Sequence, residues 1–508
     1  MKELANENSR SRNSFRNMVF AFTYQFVNLL LQFISRSIFI STLGAGYLGL
    51  SGLFSNVISV LNLADLGIES AVLYSFYKPL ANKDYRKISA LLKYYQKLYY
   101  GIAAVMMGGG IITVPFLQYL VKLDNEIPFV RLYYLLMVVN TAASYLFSYK
   151  ICVLLADQKQ YILTKARIVA NACKVVIQIL VLLIFKSYAL YLIIGIVTTI
   201  LQNATVAGKV GKWYPLYKEE ELGKQEKRSL FSNLSAMFSY KIASTVFSST
   251  DNIILSVMFG TIQVGLYSNY SLITSCLDQT VGNVFSSMTA SVGNSIAIDS
   301  PEKRLRVFEM LQEISFVMGA FFTIELTLLL NDFIRCWLGA EFLFPEIVII
   351  SVTVNFYMAC VFKPMWSYRE AAGVFLKLKY VMFVAAGLNI VLSIVLGNIL
   401  GVSGVFFATT LSRLLTYFWY EPKILFHDYF ESTTKNYYLG WGKNVVITVV
   451  LIAALQFVTA GFEVDMWAKW FLKACITSLI SFLAVMLCYK NSTAFEWMKS
   501  KVYAFIRR

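Results

Sequence analysis

Asp65 and Glu69 stand four residues apart inside one long apolar run, so on a helix they share a face. Two carboxylates held that close repel, which raises the proton affinity of one of them or draws in a cation. A proton or sodium site is one reading; pairing with a basic residue on a neighbouring helix is the other. Asp251 and Asp278 are further acids within apolar runs, and Glu325 lies nearer the end of another. The basic residues in such runs are Arg36, Lys174, Lys241 and Arg413, with Lys363 ahead of Pro364 at an expected kink. A Lys ammonium is a compact charge suited to phosphate, and an Arg guanidinium brings a fork of donors. Arg36 and Lys241 are therefore candidates to hold an anion in a low-dielectric cavity, where the attraction is strong. The alternative is internal pairing, Lys241 with Asp251 and Arg36 with Asp65. An ionisable side chain at mid-bilayer costs at least about 2.5–3.5 kcal/mol, so each must face a wet cavity or a partner.

Other chemistries find little support. The single histidine, His427, adjoins Asp428, but adjacency alone is no catalytic geometry, and no catalytic residue is assigned. Gly108, Gly109 and Gly110 lack the Gly-Lys-Ser/Thr that would make a phosphate loop. The seven cysteines show no metal-ligand spacing, so no metal and no cofactor are expected. An integral-membrane polymerase or acyltransferase would need a sizeable loop for its reaction site, and the chain has none.

The elements that must carry these residues are membrane spans. Hydrophobic residues make up 58% of the 508 and charged residues 15%, against roughly 25% in a soluble domain. Runs of about 20 apolar residues, each enough to cross a bilayer, fill nearly the whole length. They predict an all-α integral membrane protein with about fourteen transmembrane helices. Basic residues gather in alternate loops (Lys78 to Lys93, Lys209 to Arg228, Lys303 to Arg306, Arg369 to Lys379), while 43–48 and 259–264 carry no charge. Both termini are therefore expected on the cytoplasmic side. The net charge of +16 follows from this topology and calls for no nucleic acid. Tyr94, Tyr95, Tyr99, Tyr100, Tyr133 and Tyr134 fall at span ends and read as an interfacial belt.

The chain also repeats itself. Shifted by 216 positions without a gap, residues 17–50 fall on 233–266, bringing Tyr24 to Tyr240, Gly44 to Gly260 and Gly49 to Gly265. Two related halves are the signature of a transporter with its substrate site between them. The expected organisation is two pseudo-symmetric six-helix bundles, 1–216 and 217–424, followed by two extra helices and a basic tail over 425–508. Each half has an even number of spans, so the repeat is parallel. The charges differ at matched positions: Lys241 falls where the first half has Gln25, Asp251 where it has Ser35, and Asp278 where it has Asn62.

Ser249-Thr-Asp-Asn-Ile-Ile-Leu-Ser256, Phe259-Gly260 and Val264-Gly-Leu-Tyr-Ser-Asn-Tyr270 resemble the seventh span and outer turn of Wzx-type polysaccharide flippases, and Leu155-Ala-Asp-Gln-Lys-Gln-Tyr161 resembles the same group. These belong to the multidrug/oligosaccharidyl-lipid/polysaccharide (MOP) exporter superfamily. The resemblance implies a lipid-linked oligosaccharide flippase working by alternating access in a bacterial cell membrane. It implies that the first, second, seventh and eighth spans line the cavity, which puts Arg36, Asp65, Glu69, Lys241, Asp251 and Asp278 there. On that reading Lys241 and Arg36 meet a diphosphate, with Lys174 and Arg413 as further substrate cations. Asn252, Asn269 and Asn283 could bond sugar hydroxyls, or other helices. The partners implied are the lipid-linked substrate, membrane lipid and the polysaccharide assembly machinery. The driving force would be Na+, H+ or membrane potential, the last worth roughly 2.3 kcal/mol per charge per 100 mV. A MATE-like exporter of organic cations is the second reading, for which the acids would dominate.

Overall fold

The computed structural model describes residues 23, 25–61, 75–76, 79–80, 82–120, 127–157, 159–214, 222–223, 247, 249–372, 374–490, 492 and 495. Among them there is no strand. A chain this apolar must satisfy its backbone within each segment, and the helix does so. The helices are α1 (Gln25–Leu43), α2 (Ala45–Leu61), α3 (Tyr85–Thr113), α4 (Val130–Tyr145), α5 (Ser148–Ala156), α6 (Gln160–Phe185), α7 (Tyr188–Trp213) and α8 (249–259). There follow α9 (Thr261–Ile298), α10 (Pro301–Leu338), α11 (Glu346–Val361), α12 (Lys363–Ala372), α13 (Phe375–Leu400), α14 (Val402–Leu415), α15 (Tyr417–Asp428), α16 (Lys435–Thr459) and α17 (Trp467–Cys488).

Eight of these helices are long and apolar enough to cross a bilayer, and two bent pairs bring the number to ten. The chain is thus a multi-pass membrane protein. The fourteen expected spans are not all counted in this way. Among the described residues α2 and α14 are short, with 17 and 14 residues, and α9 carries many polar side chains over its 38 residues.

The register of 216 residues extends well beyond the matched sequence. It carries Ala45 onto Thr261, Tyr85 onto Pro301 and Val130 onto Glu346, each the first residue of its helix. Both α4–α5 and α11–α12 are bent, by 48° and 41° respectively, and the register superposes the two breaks. Gly44 and Gly260 end α1 and α8 with φ of +88° and +87°, a backbone that glycine adopts without steric cost. Immediately after them the starts of α2 and α9 cross at matched glycines. A Cβ on Gly49 would stand 1.8 Å from the Thr261 carbonyl oxygen, and one on Gly265 would stand 2.4 Å from that of Ala45. Ser59 and Ser249 join their hydroxyls at 2.8 Å further along.

The chain forms two compact units, Met1–Gly265 and Leu266–Arg508. The expected junction of the bundles at 216–217 lies outside the described residues. In the first unit, aromatic rings form the core. Tyr133 meets Tyr188 edge-on at 4.8 Å, Phe54 meets Tyr134 at 5.1 Å, and Tyr99 bonds Cys152. Tyr95, Tyr99, Tyr133 and Tyr134 are buried. This corrects the belt reading for these four: edge-to-face pairing adds about 0.5–1.5 kcal/mol to area burial, and ring partners replace the head-group zone. Tyr100 is exposed.

In the second unit α10 is the central helix. Gln312 and Ser315 reach the Val361 and Cys360 carbonyls on α11 at 3.1 and 2.7 Å. Gly319 lies so close to Val361 that a Cβ would approach it to 3.1 Å, the small-residue contact expected between membrane helices. On another side of α10, Asn444 of α16 donates to the Phe316 carbonyl at 3.2 Å. Where α12 meets α15, Arg369 and Glu421 form an ion pair at 2.8 Å with side chains only 7% and 1% exposed. Arg369 is therefore a buried structural cation, not one of the cytoplasmic loop charges among which the sequence placed it.

Candidate functional site

In the first unit two of the candidate cations, Arg36 and Lys174, lie along one seam. Asn171, Lys174 and Gln178 are spaced three and four residues apart on α6, so they share a face. Asn171 donates to Asn28 of α1 at 2.7 Å, and Gln178 donates to the Tyr191 carbonyl of α7 at 2.9 Å. The face therefore looks toward both α1 and α7, and Lys174 stands between its two anchored neighbours. Lys174 is half-buried near the middle of α6 and makes no hydrogen bond or ion pair among the described residues. Arg36 is half-buried on α1 and interacts electrostatically with Tyr191. No aspartate or glutamate occurs in α1, α6 or α7. The seam thus holds Lys174, which has no ion pair among the described residues, with Arg36 further along it. In a low dielectric its field attracts an anion, and the flanking amides offer donors to its oxygens.

The second unit pairs its candidates differently. Asp278 of α9 and Lys363 of α12 form an ion pair at 2.8 Å; Lys363 is buried and Asp278 is 37% exposed. Lys363 Nζ also lies 5.0 Å from the centre of the Trp366 ring, a cation–π contact, and Gly282 leaves it room. Asp278, expected as a cavity acid, and Lys363, expected at a kink, are thus one neutralised unit at the break between α11 and α12. Lys363→Met should cost about 1–2 kcal/mol, less than a sealed pair because Asp278 is partly hydrated. Adding Asp278→Asn should recover most of that loss. Thermal unfolding of the purified variants in detergent measures both.

Arg413 of α14 reaches the Asn355 carbonyl of α11 at 3.4 Å, and Thr410 donates to the Asn355 side chain at 2.9 Å. Asn269 is wholly buried, and neither atom of its amide has a hydrogen-bond partner among the described residues. Asn252 is half-buried with its oxygen likewise unsatisfied, Asp251 is half-buried on α8, and Asn283 is exposed on α9. Asp65, Glu69 and Lys241 lie outside the described residues, as do the expected pairs Lys241–Asp251 and Arg36–Asp65. At the α13–α15 connection, Asp428 accepts from Lys377 and pairs with His427, each at 2.8 Å. The Lys377 ammonium, together with His427, holds that carboxyl below its ordinary range.

A feature the sequence did not announce is a cavity of about 720 Å³ within the second unit. Its walls include Ile349, Ile350, Val445, Val449 and Ile452, and Asp332 and Lys473 lie on its border. No periodicity within one helix could have revealed it, because α10, α11, α14, α16 and α17 all contribute.

No family model matches the chain, and no curated protein matches it by sequence. Solved structures do match it. The lipid II flippase MurJ, in an inward closed conformation, superposes with a TM-score of 0.68 at 13% identity, covering 93% of this chain and 99% of MurJ. An inward-facing multidrug MATE transporter of the MOP superfamily gives 0.57 at 11% identity over 78% and 94% of the two chains. A MOP transporter from Pyrococcus furiosus, described as having a binding pocket of reversed polarity, gives 0.57 at 12% over 84% and 97%. The chain therefore shares the fold of these solved transporters, two of which are described as members of the MOP superfamily that the motifs at 155–161 and 249–270 resemble. Lipid II flippases and drug exporters both have it, so the fold leaves the substrate to be argued from side chains.

Proposed function

We propose that the chain is a flippase that carries a polyprenyl-diphosphate-linked oligosaccharide from the cytoplasmic to the outer leaflet by alternating access. It would serve surface polysaccharide biosynthesis in the bacterial cell membrane. The observation that carries this reading is Lys174, half-buried on α6 with no hydrogen bond or ion pair among the described residues. A diphosphate is the matching ligand: it is doubly anionic, and its oxygens accept both point-charge and forked donors. Lys241 and Arg413 are proposed as additional substrate cations, with Asn252 and Asn269 toward the sugars. Asp65, Glu69 and Asp251 are proposed as coupling or cavity acids, and Asp278 as a cavity acid that Lys363 holds. The cavity walled by Ile349, Val445 and Ile452 supports a substrate with an apolar chain, since it could take hydrocarbon. An organic-cation exporter is less well supported, because Asp278 is engaged by Lys363.

The test uses cells that make the polymer. A charge-assisted hydrogen bond is worth about 1.5–3 kcal/mol, so Lys174→Ala or Arg36→Ala should lower polymer export at least about tenfold at normal protein level. Lys174→Arg should restore part of it. Unchanged surface polymer would remove both residues from the mechanism. Intact glycans together with raised sensitivity to cationic drugs on deletion would favour the exporter of organic cations instead.

A further inference from the structure

On α10, Glu325 lies within the membrane-spanning stretch, yet no lysine or arginine pairs with it among the described residues. Its carboxylate instead accepts three hydroxyl hydrogen bonds from α17: Thr477 at 2.8 Å, Ser478 at 3.1 Å and Ser481 at 2.6 Å. Thr477 and Ser481 are completely buried. Thr477 stands ten residues from the start of α17 at Trp467, about 15 Å at the rise of a helix. The nearest lysine along α17, Lys473, is committed one turn away to Asp332 at 2.8 Å.

Two of the three hydroxyls have a second acceptor. Thr477 also reaches the Ala474 carbonyl, and Ser481 the Ser478 carbonyl, both at 3.3 Å. A hydroxyl that turns its hydrogen to the helix backbone presents its lone pairs to Glu325. The same atoms can therefore serve as donors around a bare carboxylate. They can equally join its two oxygens as ligands around a cation. The charge decides which cation. Glu325 supplies one negative charge, which a monovalent ion neutralises, whereas a divalent ion would leave an uncompensated charge in hydrocarbon. Mg2+ also gives up its waters reluctantly.

We infer that Glu325, Thr477, Ser478 and Ser481 form a binding site for a monovalent alkali cation at the α10–α17 seam. Its role as the coupling ion rests on the transport reading above; the binding itself does not. Occupancy would tie α17 to α10 through ligand bonds in place of hydrogen bonds. Ion binding and the docking of this C-terminal helix are then one equilibrium.

The test is equilibrium binding of radioactive 22Na+ to the full chain in detergent, without lipid substrate, at ionic strength fixed with choline chloride. We expect saturable binding of one ion per chain, displaced by excess Na+ and not by Ca2+. Glu325→Gln keeps the shape and the hydroxyl contacts, and should weaken binding at least tenfold. Ser481→Ala combined with Thr477→Val should do the same, while Lys174→Ala should leave binding unchanged. An unsaturable wild type, or a Glu325→Gln variant that binds like wild type while remaining monodisperse, overturns the site. So does thermal stability that responds to pH but not to Na+, which would make Glu325 a proton site. Normal export by Lys174→Ala alongside intact 22Na+ binding would sink the transport reading alone. Lost export in Lys174→Ala with no 22Na+ binding by wild type would sink this site alone.

Discussion

Gly49→Val should yield almost no folded protein. The Cβ of any replacement would stand 1.8 Å from the Thr261 carbonyl oxygen, where an unbonded contact needs more than 3 Å. That oxygen belongs to a helix backbone, so it cannot swing aside as a side chain would. Overpacking that side chains can relieve already costs about 1–3 kcal/mol, and this contact offers no such relief. Gly265→Ala should follow it, less severely, with its own Cβ 2.4 Å from the Ala45 carbonyl oxygen. Gly46→Ala, one turn away and 3.6 Å from the Ile127 side chain, is the control and should be near neutral. Fluorescence-detected gel filtration of tagged variants reads all three. A monodisperse Gly49→Val peak at wild-type height would mean that α2 and α9 do not cross there.

Glu421→Ala should destabilise the second unit by about 3–5 kcal/mol, because it leaves the Arg369 guanidinium buried without its counter-charge. Arg369→Met should cost a similar amount. The double variant Arg369→Met with Glu421→Leu should lie within about 1 kcal/mol of wild type, or above it, since taking two ions out of water offsets most of their attraction. The strong coupling between the two substitutions, measured by thermal unfolding as a double-mutant cycle, is the diagnostic result. Additive losses would show that the pair does not form. Trp366, whose ring lies 5.9 Å from the Arg369 guanidinium carbon, would keep its packing in the double variant.

Much of this arrangement could be read from the chain, and the limits are physical. Gly44 and Gly260 stood out in an ungapped register because a helix end with positive φ selects glycine. The same register then located helix starts as distant as Val130 and Glu346, where the residues themselves no longer match. Arg36 and Lys174 stood out because a charge in an apolar run is expensive. Pairings did not stand out. Asp278 and Lys363 lie on different helices with nothing periodic between them, and Glu325 takes its partners from a helix more than 150 residues on. The tyrosines at 95, 99, 133 and 134 misled for a related reason: a ring at a span end suits head groups and a protein core alike, and only the neighbouring helix decides. In the sequence Arg369 reads as a loop charge, because its acid is 52 residues away.

The two bent spans carry one more lesson. In the second unit the break falls at Phe362, just ahead of Lys363 and Pro364, and the imino acid would ordinarily be given the credit. The matched positions in the first unit are Phe147 and Ser148, with no proline, and the bend there is the larger, 48° against 41°. The bend at this position therefore does not need a proline: packing around the matched break is enough to hold it in the first unit. Pro364 is compatible with that corner, but a corner of the same kind forms without one.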